Sequence, residues 1–355
     1  MTADTDISPK LQRAVTAAIA DHTPLNLTGA GTKMFFGREP TGSPLSLGGH
    51  RGIVNYEPKE LVLTARAGTP LAEVKAALAG QQQMLPFEPP HFGEGATLGG
   101  TIACGLSGPR RPYTGSARDF VLGIRMINGR GEIVRFGGEV MKNVAGYDLS
   151  RLMTGALGTL GVILEISLKI LPAPEQEITL LQEQSPEQAI RQMNRWAGTP
   201  LPLSAACYDG LQLHLRLSGT AKGIRAGQKQ IGGDLLADGD NFWRGIREQR
   251  HAFFQTGQPL WRLSVAPAAD PLALPGKQLI DWGGAQRWLI TDADSEGIFA
   301  AARQAGGHGT LFRGGDRSGG IFQPLSTASM ALHRRLKQAF DPDRIFNPGR
   351  LYPNL

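Results

Sequence analysis

Cysteine is nearly absent: Cys104 and Cys207 are the only two in 355 residues. Two thiols exclude a disulfide framework, a paired CxxC zinc site and a self-contained iron–sulfur cluster. Aromatic residues are also sparse, at 7%, and the Lys and Arg that give a net charge of +6 are scattered. With no basic stretch interleaved with aromatics, nucleic-acid binding is excluded as a reading. The positive surplus suits an acidic substrate, an acidic partner subunit or an anionic membrane face instead. No apolar run approaches the ~20 residues of a membrane span, and the opening MTADTDISPK lacks the basic-then-apolar order of an export signal. The expected location is cytoplasmic, at most peripheral at the inner face of a membrane through partners.

What the chain does have is glycine, 47 residues of it, and length enough for two domains. Ser8-Pro9 predicts an N-cap and first turn, with Leu11, Val15, Ala18 and Ile19 on one helical face. Leu25 to Thr28 and Glu60 to Ala67 read as strands, and Thr69-Pro70 as the cap of a helix bearing Leu71, Val74 and Leu78 and ending at Gly80. Phe120 to Ile127 and Glu132 to Phe136 flank Asn128-Gly129-Arg130-Gly131, a strong hairpin signal. Val162 to Ile170 alternates apolar and polar, as a half-buried strand does, and Pro172 and Pro174 end it. Beyond lie a helix from Ser185-Pro186, a strand around Cys207 turning at Asp209-Gly210, and a strand whose Gln212, His214 and Arg216 predict a wet face. An antiparallel sheet backed by helices fits that region, and the fold class is α+β.

The most informative stretches are LTGAGTKMFFG from Leu27 and GATLGGTIACGLSG from Gly95, each beside a short apolar strand. Glycine lets backbone N–H groups turn toward a phosphate and lets the chain lie flat against a ring. One such loop alone is an ordinary tight turn; several in this order make a cradle. The nicotinamide fingerprint is missing, because TGAGTKMFFG has the wrong third spacing and no helix start. These segments resemble the FAD-binding domain of the vanillyl-alcohol-oxidase (p-cresol methylhydroxylase-type) flavoproteins. Within that group GPRRPYTGSARDFVLGIRMINGRGEIVRFGG, MKNVAGYDLSRLMTGALGTLGVI and FDPDRIFNPGRLYP resemble the FAD-binding subunits of bacterial glycolate oxidase complexes. The likeness is dense from Leu27 to Leu171, clear from Phe340 to Pro353, and thin between.

The resemblance implies a two-part FAD-binding domain over residues 1–172, a short α+β cap or substrate-like domain over 173–312, and a segment 313–355 that returns to the FAD domain. It implies FAD, held by Thr28, Gly29, Ala30, Gly31, Thr32 and Lys33 in the first loop, with Ala30 where glycine is usual. Pro89, Pro90, Thr97, Gly99, Gly100, Thr101 and Gly105 match the second loop; Gly115, Ser116 and Asp119 match the third; Thr159, Gly161 and Ile163 match the adenine-side strand. Asn347 matches a position near the flavin ring, or is a plain Asn-Pro-Gly turn; Lys142 and Tyr147 match the family pattern too, with a structural role as the alternative. Neither loop has the histidine or cysteine that covalent relatives use, so the expected FAD is noncovalent, and Cys104 reads as a packed side chain near the cofactor rather than a redox thiol.

Oxidising a 2-hydroxy acid needs a base, a cation for the carboxylate and a hydride acceptor. The family's histidine-rich, metal-capable C-terminal motif is replaced here by GGHGTLFRGGDR, so no metal is expected. His308 with Arg313, and His91 beside Pro90, are the candidate catalytic residues, each with a bland alternative as an ordinary loop or strand-end side chain. The implied partners are a larger FAD-containing catalytic subunit and an iron–sulfur subunit, the latter required because two cysteines cannot hold a cluster. A small 2-hydroxy acid is expected to be handled through that complex, with this chain serving in electron relay or assembly. The alternatives are a self-sufficient FAD-dependent D-2-hydroxy acid dehydrogenase, and a structural subunit that binds flavin without turnover.

Overall fold

In the computed structural model, residues 4–138 and 147–355 are described. Lys142 and the side chain of Tyr147 lie outside the described residues. By packing, the chain divides into one unit of residues up to Leu106, Ser116–Pro172 and Pro324–Leu355, and a second of Ser107–Gly115 and Ala173–Gln323. The second unit ends later than residue 312 because strand His308–Arg313 runs on and Phe322 bridges back to Thr310.

The first unit is built on a five-stranded antiparallel sheet in the order Ile53–Glu57, Val62–Arg66, Val162–Lys169, Val121–Ile127, Ile133–Gly137. The hairpin at Asn128–Gly131 closes its last pair, register Gly123 to Gly137 through Ile127 to Ile133. The central strand is not half-wet. Glu165 and Ser167 are buried with their apolar neighbours, because Arg66 and Arg125 donate to Glu165 at 2.9 and 2.8 Å and Thr64 pairs with Ser167 at 2.8 Å. Charge pairing lets the second face be covered as well.

Helix Ser8–Ala20 buries Leu11, Val15 and Ala18 as their spacing requires, but Ser8 is its first residue rather than its cap. Asp6 Oδ1 accepts the Ser8 N–H at 2.7 Å in that place. Thr69 likewise does not cap helix Leu71–Ala79; its hydroxyl is held by Gly52 N–H and C=O at 2.9 and 3.1 Å. A separate parallel pair, Leu25–Thr28 with Ser43–Ser46, leads into the first glycine loop.

The second unit is an eight-stranded antiparallel sheet in the order Asp234–Leu235, Gln176–Glu183, Gln212–Gly219, Leu203–Tyr208, Lys277–Asp281, Gln286–Ile290, Leu260–Ser264, His308–Arg313. Helix Pro186–Ala197 starts at Ser185, which with Gln188 forms a capping box. The expected wet face of Gln212–Gly219 is dry at His214 and Arg216. Helix Gly239–Arg247 lays aromatics over it: Phe242 stacks on His214 at 3.8 Å, and the Arg216 guanidinium sits 5.3 Å from the Trp243 ring.

In the C-terminal helix Thr327–Phe340, Leu332 is exposed, Leu336 and Phe340 are half-buried, and the fully buried residue is Lys337. Its Nζ donates to Asp341 Oδ2 at 2.7 Å, Thr159 O at 2.7 Å and Phe346 O at 2.9 Å. Lys337→Met, which strands the Asp341 charge, is expected to cost ~3–5 kcal/mol in urea unfolding, with part recovered by adding Asp341→Leu. A second expectation concerns His50, wholly buried, whose Nδ1 accepts the Ile7 N–H at 3.2 Å. Burial, then the Arg66 charge, lower its pKa, outweighing Asp6. The unfolded chain therefore binds the extra proton first. Stability should fall as pH drops below about 6.5 and through the lower folded pKa, by at most ~1.4 kcal/mol per pH unit for one proton. Unfolding curves of His50→Gln should lack that component.

Candidate functional site

After Thr28 the backbone leaves its strand, and the N–H groups of Gly29, Ala30, Gly31 and Thr32 donate to no described protein group. Gly31, at φ +73°, makes the turn, and Met34 N–H closes it onto Gly31 C=O at 3.0 Å. Consecutive free amide donors are what a phosphate oxygen requires. Behind them Lys33 is buried, its ammonium donating to His91 C=O at 3.1 Å and 3.5 Å from Thr32 Oγ1. The loop is thus a donor surface backed by a fixed positive charge.

The facing wall is helix Leu98–Cys104. Its early amides are spent internally, Leu98 on Thr69 C=O at 2.9 Å and Gly99 on Ala67 C=O at 2.7 Å, while Thr97 Oγ1 accepts Gly100 N–H at 3.2 Å. This wall supplies close approach rather than donors. A Cβ on Gly29 would overlap Thr97 Oγ1, and one on Gly99 would lie 2.6 Å from Ala67 Cβ.

Between these walls lie two adjoining open cavities of about 540 and 430 Å³ that share Leu27, Thr28, Gly29, Thr97, Gly100, Leu157 and Asn347. The first is also lined by Ala30, Gly31, Thr32 and Lys33, the second by Gly99, Gly161 and Ile163. Asn26 lines the first, and its Oδ1 is buried with no hydrogen-bond partner, an acceptor left for a ligand. Free donors at one end, an orphan acceptor and apolar walls of Leu27, Ala103, Leu157 and Ile163 fit the diphosphate and ring system of a dinucleotide.

Asn347 lines both cavities, yet its amide is already engaged. Oδ1 accepts Leu27 N–H at 2.8 Å and Nδ2 donates to Leu157 C=O at 2.7 Å, with the residue itself at φ +39°. It positions the walls. Arg350, just beyond, donates to the carbonyls of Met34 (3.0 Å), Phe36 (2.6 Å) and Arg38, and so fixes the far end of the first loop. Cys104 lines the first cavity as well; desolvation pushes its thiol up to about 11, with Lys33 and Arg350 pulling the other way, so it is protonated at neutral pH.

Other expected residues stand outside these cavities. Thr101 is buried with its hydroxyl on Thr97 C=O at 2.9 Å, Gly105 caps its helix at φ +63°, and Thr159 bonds Ala156 C=O at 2.7 Å. Ser116 and Asp119 form the capping box of Ala117–Phe120, and Gly115 belongs to the second unit. Pro89 and Pro90 are buried, and His91 is held through its carbonyl. His308 and Arg313 lie in the second unit. His308 is exposed at a strand start, its pKa lowered by desolvation and the Arg262 charge; Arg313, lowered by desolvation, donates to Phe254 C=O at 3.3 Å. Asn26, Leu157 and Arg350 escaped sequence reading because a strand asparagine, a loop leucine and a late arginine carry no motif.

The FAD binding domain family matches residues 8–137, and the C-terminal domain family of FAD linked oxidases matches residues 323–351. Over the whole of both chains, this one is 51% identical to the glycolate oxidase subunit GlcE of Escherichia coli. It is 33% identical to glycolate oxidase subunit GlcD of Bacillus subtilis over 50% of this chain and 39% of that protein. It is 34% identical to D-lactate dehydrogenase of Anaerostipes hadrus over 44% of this chain and 33% of that one. Alkyldihydroxyacetonephosphate synthase shares the fold, with a TM-score of 0.65 and 14% identity over 98% of this chain and 76% of that one. Gly29→Val is expected to weaken flavin binding by roughly tenfold in Kd, ~1.4 kcal/mol, in a titration of the flavin-free chain. Ala30→Gly should leave it unchanged, since the methyl of Ala30 is exposed.

Proposed function

Because this chain belongs to the GlcE family of FAD-linked glycolate oxidase subunits, we propose that it is the FAD-binding subunit of a multi-subunit glycolate (2-hydroxy acid) dehydrogenase. Glycolate is oxidised to glyoxylate in that complex, and the electrons pass to an iron–sulfur partner; a larger FAD-containing subunit carries the substrate chemistry. Full-length identity to GlcE is the observation that carries the reading. The cradle in the first unit supports it.

Bound there, FAD supplies hydride acceptance and one-electron transfer. The chain's own part is to bind and orient. The free amides of Gly29 to Thr32 take the diphosphate, Lys33 stabilises its charge from behind, and Thr97, Gly99 and Gly100 leave room for flat groups. Noncovalent attachment is the reading supported here: among the described residues no histidine lines the cavity walls, and burial holds the Cys104 thiol protonated. His308, Arg313 and His91 keep their candidate roles for turnover by this chain alone; His91, in the same unit as the cradle, is not among its lining residues. The relay and assembly role is favoured over self-sufficient turnover because GGHGTLFRGGDR stands where relatives carry a histidine-rich motif. We place the protein in the cytoplasm, at most peripheral to the membrane; among the described residues no helix is long and apolar enough to cross one.

The purified chain should be yellow and should release its flavin on acid precipitation. Under anaerobic conditions glycolate and D-lactate should leave that flavin oxidised, and adding the catalytic and iron–sulfur partners should allow it to be reduced. Bleaching of the isolated chain by glycolate would overturn the relay role and assign turnover here.

A further inference from the structure

Two asparagines line the larger cavity of about 540 Å³, and the amide of only one is engaged. Asn347 has both amide atoms on the backbone, Oδ1 with Leu27 N–H and Nδ2 with Leu157 C=O. Asn26, the second residue of strand Leu25–Thr28, makes no side-chain hydrogen bond with any described residue, and its Oδ1 is buried. Its register neighbour across the parallel pair is Pro44, which has no polar side chain to offer. A carbonyl oxygen buried in this way forfeits the hydrogen bond that it makes with water in the unfolded chain. Native structures leave few such atoms, and those that remain call for a partner the chain does not supply.

The surrounding wall decides what kind of partner that is. The first cavity is lined by the amides of Gly29, Ala30, Gly31 and Thr32, by Lys33 and by the protonated thiol of Cys104, all of them donors. Arg350 is there too, its guanidinium committed to the carbonyls of Met34, Phe36 and Arg38. Donors of this kind suit a diphosphate, whose oxygens only accept and so cannot satisfy Asn26 Oδ1. Asn26 needs an O–H or N–H of the ligand, close to its diphosphate. The second cavity, of about 430 Å³, is walled by Leu47, Ala67, Val162 and Ile163 and not by Asn26, so it takes a different part of the same molecule.

We propose that Asn26 is a cofactor-binding residue that holds the ribityl chain of FAD, with Oδ1 accepting from one of the chain's hydroxyl groups. On the flavin side of FAD the ribityl hydroxyls are the donors that lie within a few bonds of the diphosphate, whereas the N3–H of the ring is at the far end of the molecule. A hydroxyl both donates and accepts, so the same group or its neighbour along the chain also suits Asn26 Nδ2. The wall thereby divides its tasks. Backbone amides hold a diphosphate whatever it carries, and Asn26 distinguishes one that carries a polyol. That the polyol is ribityl rests on the FAD reading above; the orphaned amide belongs to the chain itself.

Isothermal titration calorimetry of the full chain, freed of flavin, with FAD, with FAD methylated at N3 and with ADP tests the assignment. Asn26→Leu is expected to weaken FAD roughly tenfold, as the loss of one buried hydrogen bond does. It should weaken N3-methylated FAD by the same factor and leave ADP unchanged, because ADP has the diphosphate and the adenosine but no ribityl chain. Asn55→Leu, at an exposed position of strand Ile53–Glu57, should change none of the three. Equal losses for FAD and ADP would put Asn26 on the diphosphate or the adenosine and overturn the assignment. A loss that disappears with N3-methylated FAD would put it on the ring and overturn it as well. Should Asn26→Leu fail to fold by circular dichroism, Asn26→Ala is read by the same comparison. FAD binding that neither variant weakens overturns this assignment alone; an unaltered chain that binds no FAD overturns it together with the cofactor reading.

Discussion

The cradle in the first unit depends on one buried ion pair near the end of the chain. Asp341 is wholly buried and accepts from Lys337 Nζ, Ile345 N–H at 3.1 Å and Phe346 N–H at 2.8 Å. Those bonds fix the turn that carries Ile345, whose carbonyl takes the Leu25 N–H at 2.7 Å. Two residues on, Asn347 holds Leu27 to Leu157, and Arg350 takes three carbonyls of the segment Met34 to Arg38. The first glycine loop can keep four amides free only because both of its ends are tied down by this segment. Loops with unspent donors are otherwise closed by turns of their own.

A pair so deep is expensive to desolvate, and replacing it by apolar residues of equal volume is often neutral for stability. Its use here is geometric. Lys337 reaches Thr159 and Phe346 as well as Asp341, so one ammonium ties the C-terminal helix, the strand-side loop and the returning segment at a single point. That explains how an element more than three hundred residues from the loop in sequence can set its shape.

Much of the fold was legible in the sequence: strand Leu25–Thr28, the Asn128–Gly131 hairpin, the helix start at Ser185-Pro186 and the turn at Asp209 fall where local chemistry put them. So did the glycine loop, because a left-handed or crowded position selects glycine by itself. What stayed hidden depends on distant partners. Asp6 takes the capping role that Ser8 advertised, and Thr69 spends its hydroxyl on Gly52. Arg350 looks like any surface arginine until its three carbonyl acceptors are in view. Capping and loop chemistry are short-range; clamps across the fold leave no local pattern.

The same distinction explains the polar faces. In two strands, Val162–Lys169 and Gln212–Gly219, apolar and polar residues alternate, which ordinarily marks a solvated face, and in each the polar side is covered. Glu165 is covered because Arg66 and Arg125 pair with it; His214 and Arg216 are covered because Phe242 and Trp243 stack on them and Ser204 accepts from Arg216 at 2.9 Å. In both cases the neighbours satisfy the charge or the ring.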